Sequence, residues 1–323
     1  MATGVLVTVD TELSPALHQR GVDSRANFAS SILGRCPAGD FGVGWQMDRL
    51  EEAGLAGVFF VDPMPGLVYG DQIVADMVGP IVARGHEAQL HIHTEWLEWA
   101  KESPVGGRRG RNIGDFSLED QIALIGLARD MLVRAGAPSP IAFRAGNFGA
   151  DDNTPRALAA LGIPWGASVN PAYLGGECRM SFDAHSTAPI ARGDVTILPV
   201  SGLHDLPGRF RPAQVCAISA REMRAALGHA AAHAQPAFVI VTHSFEMLSR
   251  DRRRPDRRVI ARFEAMCRAL ADHPGLRSAG FRDLDPAALA ETAADPAPLL
   301  PPSYIRTAGR MAEQAVSAWL TAR

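Results

Sequence analysis

The chain has 323 residues, 47% of them hydrophobic and 21% charged, with a net charge of −3. That is enough apolar material for one large α/β domain; it excludes a disordered chain and argues against a general nucleic-acid binder. Lys101 is the only lysine, so unless it serves, Schiff-base and phosphate-loop lysine chemistry are excluded.

Val5, Leu6, Val7, Thr8 and Val9 predict a first strand, which ends in Asp10 and Glu12. Residues 13–44 carry no clear period. A helix is expected over 45–53, closed by Gly54, and a second strand over 56–61, broken by Asp62 and Pro63. Residues 72–84 read as a helix with Gly85 as its cap. A third strand over 86–92 follows. In it Gln89, His91 and His93 alternate with Leu90 and Ile92, so period 2 sets the polar groups on one face, with Glu95 and Trp96 just beyond. A polar loop holds Trp99, Arg108, Arg109 and Arg111, and a long helix runs over 117–135 with Ser117 as N-cap. Short strands are expected at 141–143, delivering Arg144, and at 165–169, with a helix over 154–161 between them. The span 171–193 reads as irregular. A strand over 196–200 leads to His204 and Asp205, and an Ala-rich helix over 219–235 precedes the last strand, 237–242, which delivers His243. An Arg-rich run at 250–258 reads either as a solvated, self-paired loop or as a contact for an anionic glycan or diphosphate carrier. A helix over 257–271, a proline-rich stretch at 296–302 and a closing helix over 304–323 complete the chain.

This alternation of strands and helices predicts parallel strands with right-handed crossovers, hence a barrel. Asp10, Glu12, His91, His93, Arg144, His204 and His243 all fall at strand ends, where such barrels carry their chemistry. Paired imidazoles beside carboxylates suit a metal or a proton-transfer pair. Cys36, Cys178, Cys216 and Cys267 show no Cys-x-x-Cys and read as free thiols. Without a charged leader or a long apolar run, a cytoplasmic chain with no transmembrane span is expected.

These residues resemble the polysaccharide deacetylases, the carbohydrate-esterase group that includes the nodulation-factor deacetylase. Thr8 to Glu12 resembles the acid cluster that closes the family's first strand. Gly54 to Val61 is similar to its second strand, and Gly85 to His91 to the lead into its metal-histidine motif. Phe143 to Phe148 resembles the arginine motif, and Val239 to Ser244 the closing motif that supplies a histidine. The likeness runs in order over most of the chain.

The resemblance implies a distorted (β/α)7 barrel over residues 1–290, with a proline-rich linker and C-terminal helix over 291–323. It implies that Asp10 is the general base, that His243 is the general acid, that Arg144 orients the base, and that a divalent metal, zinc in the first instance, holds the attacking water. Two departures bear on the metal. Thr11 stands where the family has its metal Asp, and Glu95 where it has its second metal His. Glu12, His91 and His93 are the expected ligands, with Glu95 as the alternative to His93 and a metal-free form left open. Asp205 or Glu246 would set the tautomer of His243. Trp96, Trp99, Asn147, Phe148 and His204 are the candidate substrate contacts, the tryptophans serving either as sugar platforms or as lid packing. The implied reaction removes an acyl group, acetyl in a family of this kind, from an amino sugar in a glycan or an activated or lipid-linked precursor. The alternatives are a ureide- or cyclic-imide-cleaving amidohydrolase on the same scaffold, or an inactive glycan-binding relative. Oligomeric state is not readable.

Overall fold

The computed structural model describes residues 2–292 and 298–321, with side chains described as far as Ala315. Thirteen strands are described: β1 (Thr3–Thr11), β2 (Arg35–Cys36), β3 (Gly39–Asp40), β4 (Val58–Val61), β5 (Glu87–Ile92), β6 (Ala142–Ala145), β7 (Trp165–Gly166), β8 (Ile190–Arg192), β9 (Val195–Ile197), β10 (Gly202–Leu206), β11 (Arg209–Pro212), β12 (Ala237–His243) and β13 (Leu276–Ser278). Nine form one curled sheet in the order β12-β1-β4-β5-β6-β7-β9-β8, with β13 alongside the start of β1. All its pairings are parallel except β8 with β9. Irregular backbone bridges the gap between the two ends: Ser201 N–H donates to Val239 O, Val241 N–H to Ala213 O, and Val215 N–H to Val241 O. The result is the distorted α/β barrel expected from the sequence.

Alternation along the strands decides which side chains reach the barrel interior. On β1, Val5, Val7 and Val9 join the large core shared with the outer helices, while Leu6 faces inward with Val58, Phe60, Ala142, Trp165 and Val239. Asp10 follows Leu6 in the inward phase. Leu90 and Ile92 face outward, which turns Gln89 and His91 in; Phe143 and Ala145 do the same for Arg144. Phe281 plugs the far end, its ring centroid 5.7 Å from that of Phe60 and 5.5 Å from that of Trp165. Charge therefore gathers at one end of the barrel and apolar bulk at the other.

Several elements depart from the sequence expectation. The span 13–44 contains two helices, Pro15–Gln19 and Ser24–Ser31; both are short, and the second is nearly uniform in polarity, so no period marks them. The strand expected over 196–200 is the shorter β9, which pairs with β8 inside the span expected to be irregular. His204 and Asp205 lie within the antiparallel β10–β11 hairpin, which turns at Pro207 and Gly208, a turn signal the strand assignment passed over. The helices Leu118–Arg134 and Ala220–Ala232 begin at Ser117 and Ser219 as capped N-termini.

The proline-rich stretch lies partly outside the described residues, as do residues 322 and 323, over which the closing helix was expected to run. That helix, Tyr304–Thr321, is tied to the barrel by buried charge. Arg310 Nη2 lies 2.8 Å from Asp205 Oδ2, and its Nε 3.1 Å from Glu222 Oε1. Thr307 Oγ1 donates to the Asp205 carbonyl at 2.7 Å. No described helix is long and apolar enough to cross a membrane. Arg310→Met would leave two buried carboxylates short of a cation, and breaking a buried pair in this way costs roughly 3 kcal/mol. Urea denaturation should show that loss; an unchanged midpoint would mean that the helix contributes nothing to the barrel's stability.

Candidate active site

Register places the site. Asp10 on β1 and His243 on β12 are Cα partners in neighbouring parallel strands, and so are His91 on β5 and Arg144 on β6. All four emerge at one mouth. There Asp10, His91 and His243 line a cavity of about 300 Å³ together with Glu12, His93, Asn147, Phe148, Tyr173, Glu177, Gln214 and Arg111, while Arg144 lies buried behind Asp10.

Arg144 is wholly buried, and its Nη1 lies 2.5 Å from Asp10 Oδ1. Its guanidinium carbon sits 4.1 Å from the centroid of Phe60, which covers the pair from below. The free oxygen of Asp10 lies 3.9 Å from His243 Nε2. The other ring nitrogen of His243 is 3.1 Å from Glu246 Oε1. Gln214, Thr242 and Cys216 also donate to Glu246. Of the two carboxylates considered as partners for His243, Glu246 is therefore the one in place; Asp205 is taken up by Arg209, Arg211 and Arg310. Burial pushes the His243 imidazolium down, but the Glu246 carboxylate, with Asp10 and Glu12, raises it to about 9.

On the opposite wall, Glu12 Oε2 lies 3.1 Å from His91 Nε2 and 2.6 Å from His93 Nε2. His91 Nδ1 donates to the Arg144 carbonyl at 2.9 Å, and His93 Nδ1 faces Glu95 Oε2 at 3.0 Å. Burial opposes charge on Glu12 and His93 alike. Their mutual attraction wins, holding Glu12 well below the usual carboxylate range and His93 well above the usual imidazole one.

The ligand atoms of Glu12, His91 and His93 all lie within 4.8 Å of one another. Both rings turn Nε2 inward and anchor Nδ1 on an oxygen acceptor, as metal-ligating histidines do. One carboxylate and two imidazoles suit zinc and leave room for water. The donor set thus fits a divalent cation. Glu95 stands behind His93 rather than within the cluster.

The candidate substrate contacts divide. Asn147 and Phe148 line the cavity. Trp96 does not: it is fully buried, packed against His18, Tyr69 and Trp99, so the expectation of a sugar platform there is corrected to core packing. Trp99 lines a neighbouring groove with Gln19 and Arg109, not the cavity. His204 points away toward His185, because the β10–β11 hairpin turns it off the mouth. The Arg-rich run folds on itself in part: Asp256 caps the next helix and pairs with Arg258, while Arg252 stacks on Phe245 and donates to Ser31.

Sequence reasoning missed Tyr173, Glu177, Gln214 and Asp62. The first three come from irregular chain with no local signal. Asp62 had one, a lone acid directly after a buried strand. It is fully buried, and its Oδ2 has no partner among the described residues.

Searches against protein-family profiles and against curated proteins find no match. Solved structures do match. A candidate polysaccharide deacetylase from Mycobacterium smegmatis superposes with a TM-score of 0.55 at 18% identity, covering 94% of this chain and 95% of that one. The chain has the polysaccharide deacetylase fold. A family 4 carbohydrate esterase from Streptomyces lividans, in complex with acetate, matches more loosely, with a TM-score of 0.43, 12% identity and coverage of 93% and 98%. A 4-alpha-glucanotransferase from Thermococcus litoralis also shares the fold, with a TM-score of 0.53, 11% identity, and coverage of 94% of this chain but 42% of that one. Since the deacetylase fold also appears in a transferase, activity has to be argued from the site.

Burial pushes the Asp62 carboxyl up to about 6, against the pull of His93 and His91. An acid raised in the folded state costs stability when ionised, so the cost is full above pH 6, shrinks as pH falls toward about 4, and vanishes only below that, where the group is protonated folded or unfolded. With a chelator present, Asp62→Asn should stabilise the protein at pH 8 by up to about 3 kcal/mol, and the gain should fade by pH 4. A gain independent of pH would contradict the assignment.

Proposed function

We propose that the protein is a metal-dependent hydrolase that removes an acyl group, acetyl in the simplest case, from the nitrogen of an amino sugar. The observation that carries this is a single cavity with a Glu-His-His cluster on one wall and an arginine-held aspartate beside a carboxylate-held histidine on the other.

Glu12, His91 and His93 would hold the cation, which we take to be zinc. The chemistry it would supply there is polarisation of the scissile carbonyl and acidification of water to a pKa of about 7. The protein's own groups do the rest. Arg144 fixes one oxygen of Asp10, leaving the other free to take a proton from the attacking water. His243, kept protonated through neutrality by Glu246, gives its proton to the departing nitrogen. Asp10 Oδ2 and His243 Nε2 stand side by side, 3.9 Å apart, and both face the cavity in which the water and the amide would sit. Phe148 and Tyr173, with ring centroids 5.3 Å apart, offer an apolar wall for a sugar face. All four cysteines are free thiols, which supports a reducing compartment and a soluble or lipid-linked sugar precursor as substrate.

Acetate release from a panel of N-acetylated amino sugars and oligosaccharides tests the reading. Asp10→Asn and His243→Ala should each lower kcat by about 10² to 10⁴, with bound zinc unchanged. Wild type that is zinc-loaded but inert on the whole panel would overturn it. The profile of kcat/KM should hold through neutrality and fall as pH rises through about 9. Glu246→Gln should bring that fall to lower pH. A basic limb that ignores Glu246 would remove His243 from the role of acid.

A further inference from the structure

Behind His93 runs a chain of polar side chains that the reaction itself does not use. Glu95 Oε2 takes the His93 Nδ1 side at 3.0 Å, and Asn147 Nδ2 donates to Glu95 Oε1 at 3.1 Å. The same amide reaches Asn112 Oδ1 at 3.3 Å, Asn112 Nδ2 donates to Glu177 Oε2 at 2.6 Å, and Arg111 pairs with Glu177 Oε1 at 2.9 Å.

The backbone is shaped to bring this chain in. Asn147 and Phe148 both have left-handed φ, 56° and 55°. Such strain persists only where the surroundings impose it, and it concentrates at functional sites. A Cβ on Gly146 would stand 2.7 Å from the Ile92 carbonyl oxygen and 2.8 Å from the His93 ring. The turn therefore lies hard against His93, and the Asn147 amide is already committed to Glu95 and Asn112.

We infer that Glu95 and Asn147 are positioning residues for the cation at His93, with Asn147 acting through Glu95. This rests on the metal reading above. A carboxylate on the outer ring nitrogen fixes the tautomer, aims Nε2 at the cluster and raises its basicity, and loss of such a partner typically weakens metal binding 10- to 100-fold. Glu95 then serves at the position where the fold's relatives were expected to carry a ligand, but one bond further out.

Zinc affinity, measured by competition with a chromophoric chelator, tests this without recourse to turnover. Glu95→Gln should bind zinc about 10- to 100-fold more weakly. Asn147→Gly keeps the left-handed backbone available and removes only the amide, and it should weaken zinc by a smaller factor. The double variant should be no weaker than Glu95→Gln alone, since residues acting through one contact are not additive. The Co(II) spectrum of Glu95→Gln should shift, reporting a reoriented imidazole. Wild-type zinc affinity in Glu95→Gln, or additive losses in the double variant, would overturn the inference while leaving the proposed function intact. A wild-type protein that takes up no zinc would defeat the metal reading itself.

Discussion

The Asp10–Arg144 pair holds the mouth of the barrel together. It joins β1 to β6 across the sheet's curl, with both side chains almost wholly buried. Arg144 does a second job with its backbone, since its carbonyl anchors His91 Nδ1. One residue thus sets both the aspartate that would act as base and one imidazole of the cation cluster. A buried pair of this kind adds little net stability beside an apolar replacement, because desolvation offsets the attraction. Its presence is better explained by geometry than by folding energy.

Two histidines at the mouth are bracketed by carboxylates in the same manner. His93 lies between Glu12 and Glu95, and His243 between Asp10 and Glu246. Their surroundings part their roles. His93 shares its inner carboxylate with His91, which makes a three-donor cluster. His243 has Asp10 no nearer than 3.9 Å on the cavity side, a gap open to the cavity. The first arrangement suits a cation, the second a proton carried to a substrate.

Much of this was legible in the sequence, because period-2 alternation is local. Outward Leu90 and Ile92 oblige His91 to face in, and outward Val7 and Val9 do so for Asp10. The alternating order of strands and helices was enough for a barrel. What escaped is what long-range packing decides. Trp96 and Trp99 look alike in sequence, yet one is buried in an aromatic cluster and the other lines a groove. His204 stood at a predicted strand end, but an antiparallel hairpin turned it away. Tyr173, Glu177 and Gln214 reach the cavity from irregular chain, whose path no periodicity records. Asp205, weighed as a partner for His243, proved to be the anchor of the C-terminal helix.

The departures at Thr11 and Glu95 bear directly on the ligand set. Glu12, just past the end of β1, and His93, two residues after His91, bring a carboxylate and two imidazoles to one point by a different route. X-ray absorption at the zinc edge of the loaded protein tests this most directly. The account predicts two imidazole nitrogens at about 2.0–2.1 Å with oxygen ligands completing the shell, and loss of one imidazole in His93→Ala. A shell with sulfur or a single imidazole, or one unchanged by His93→Ala, would contradict it.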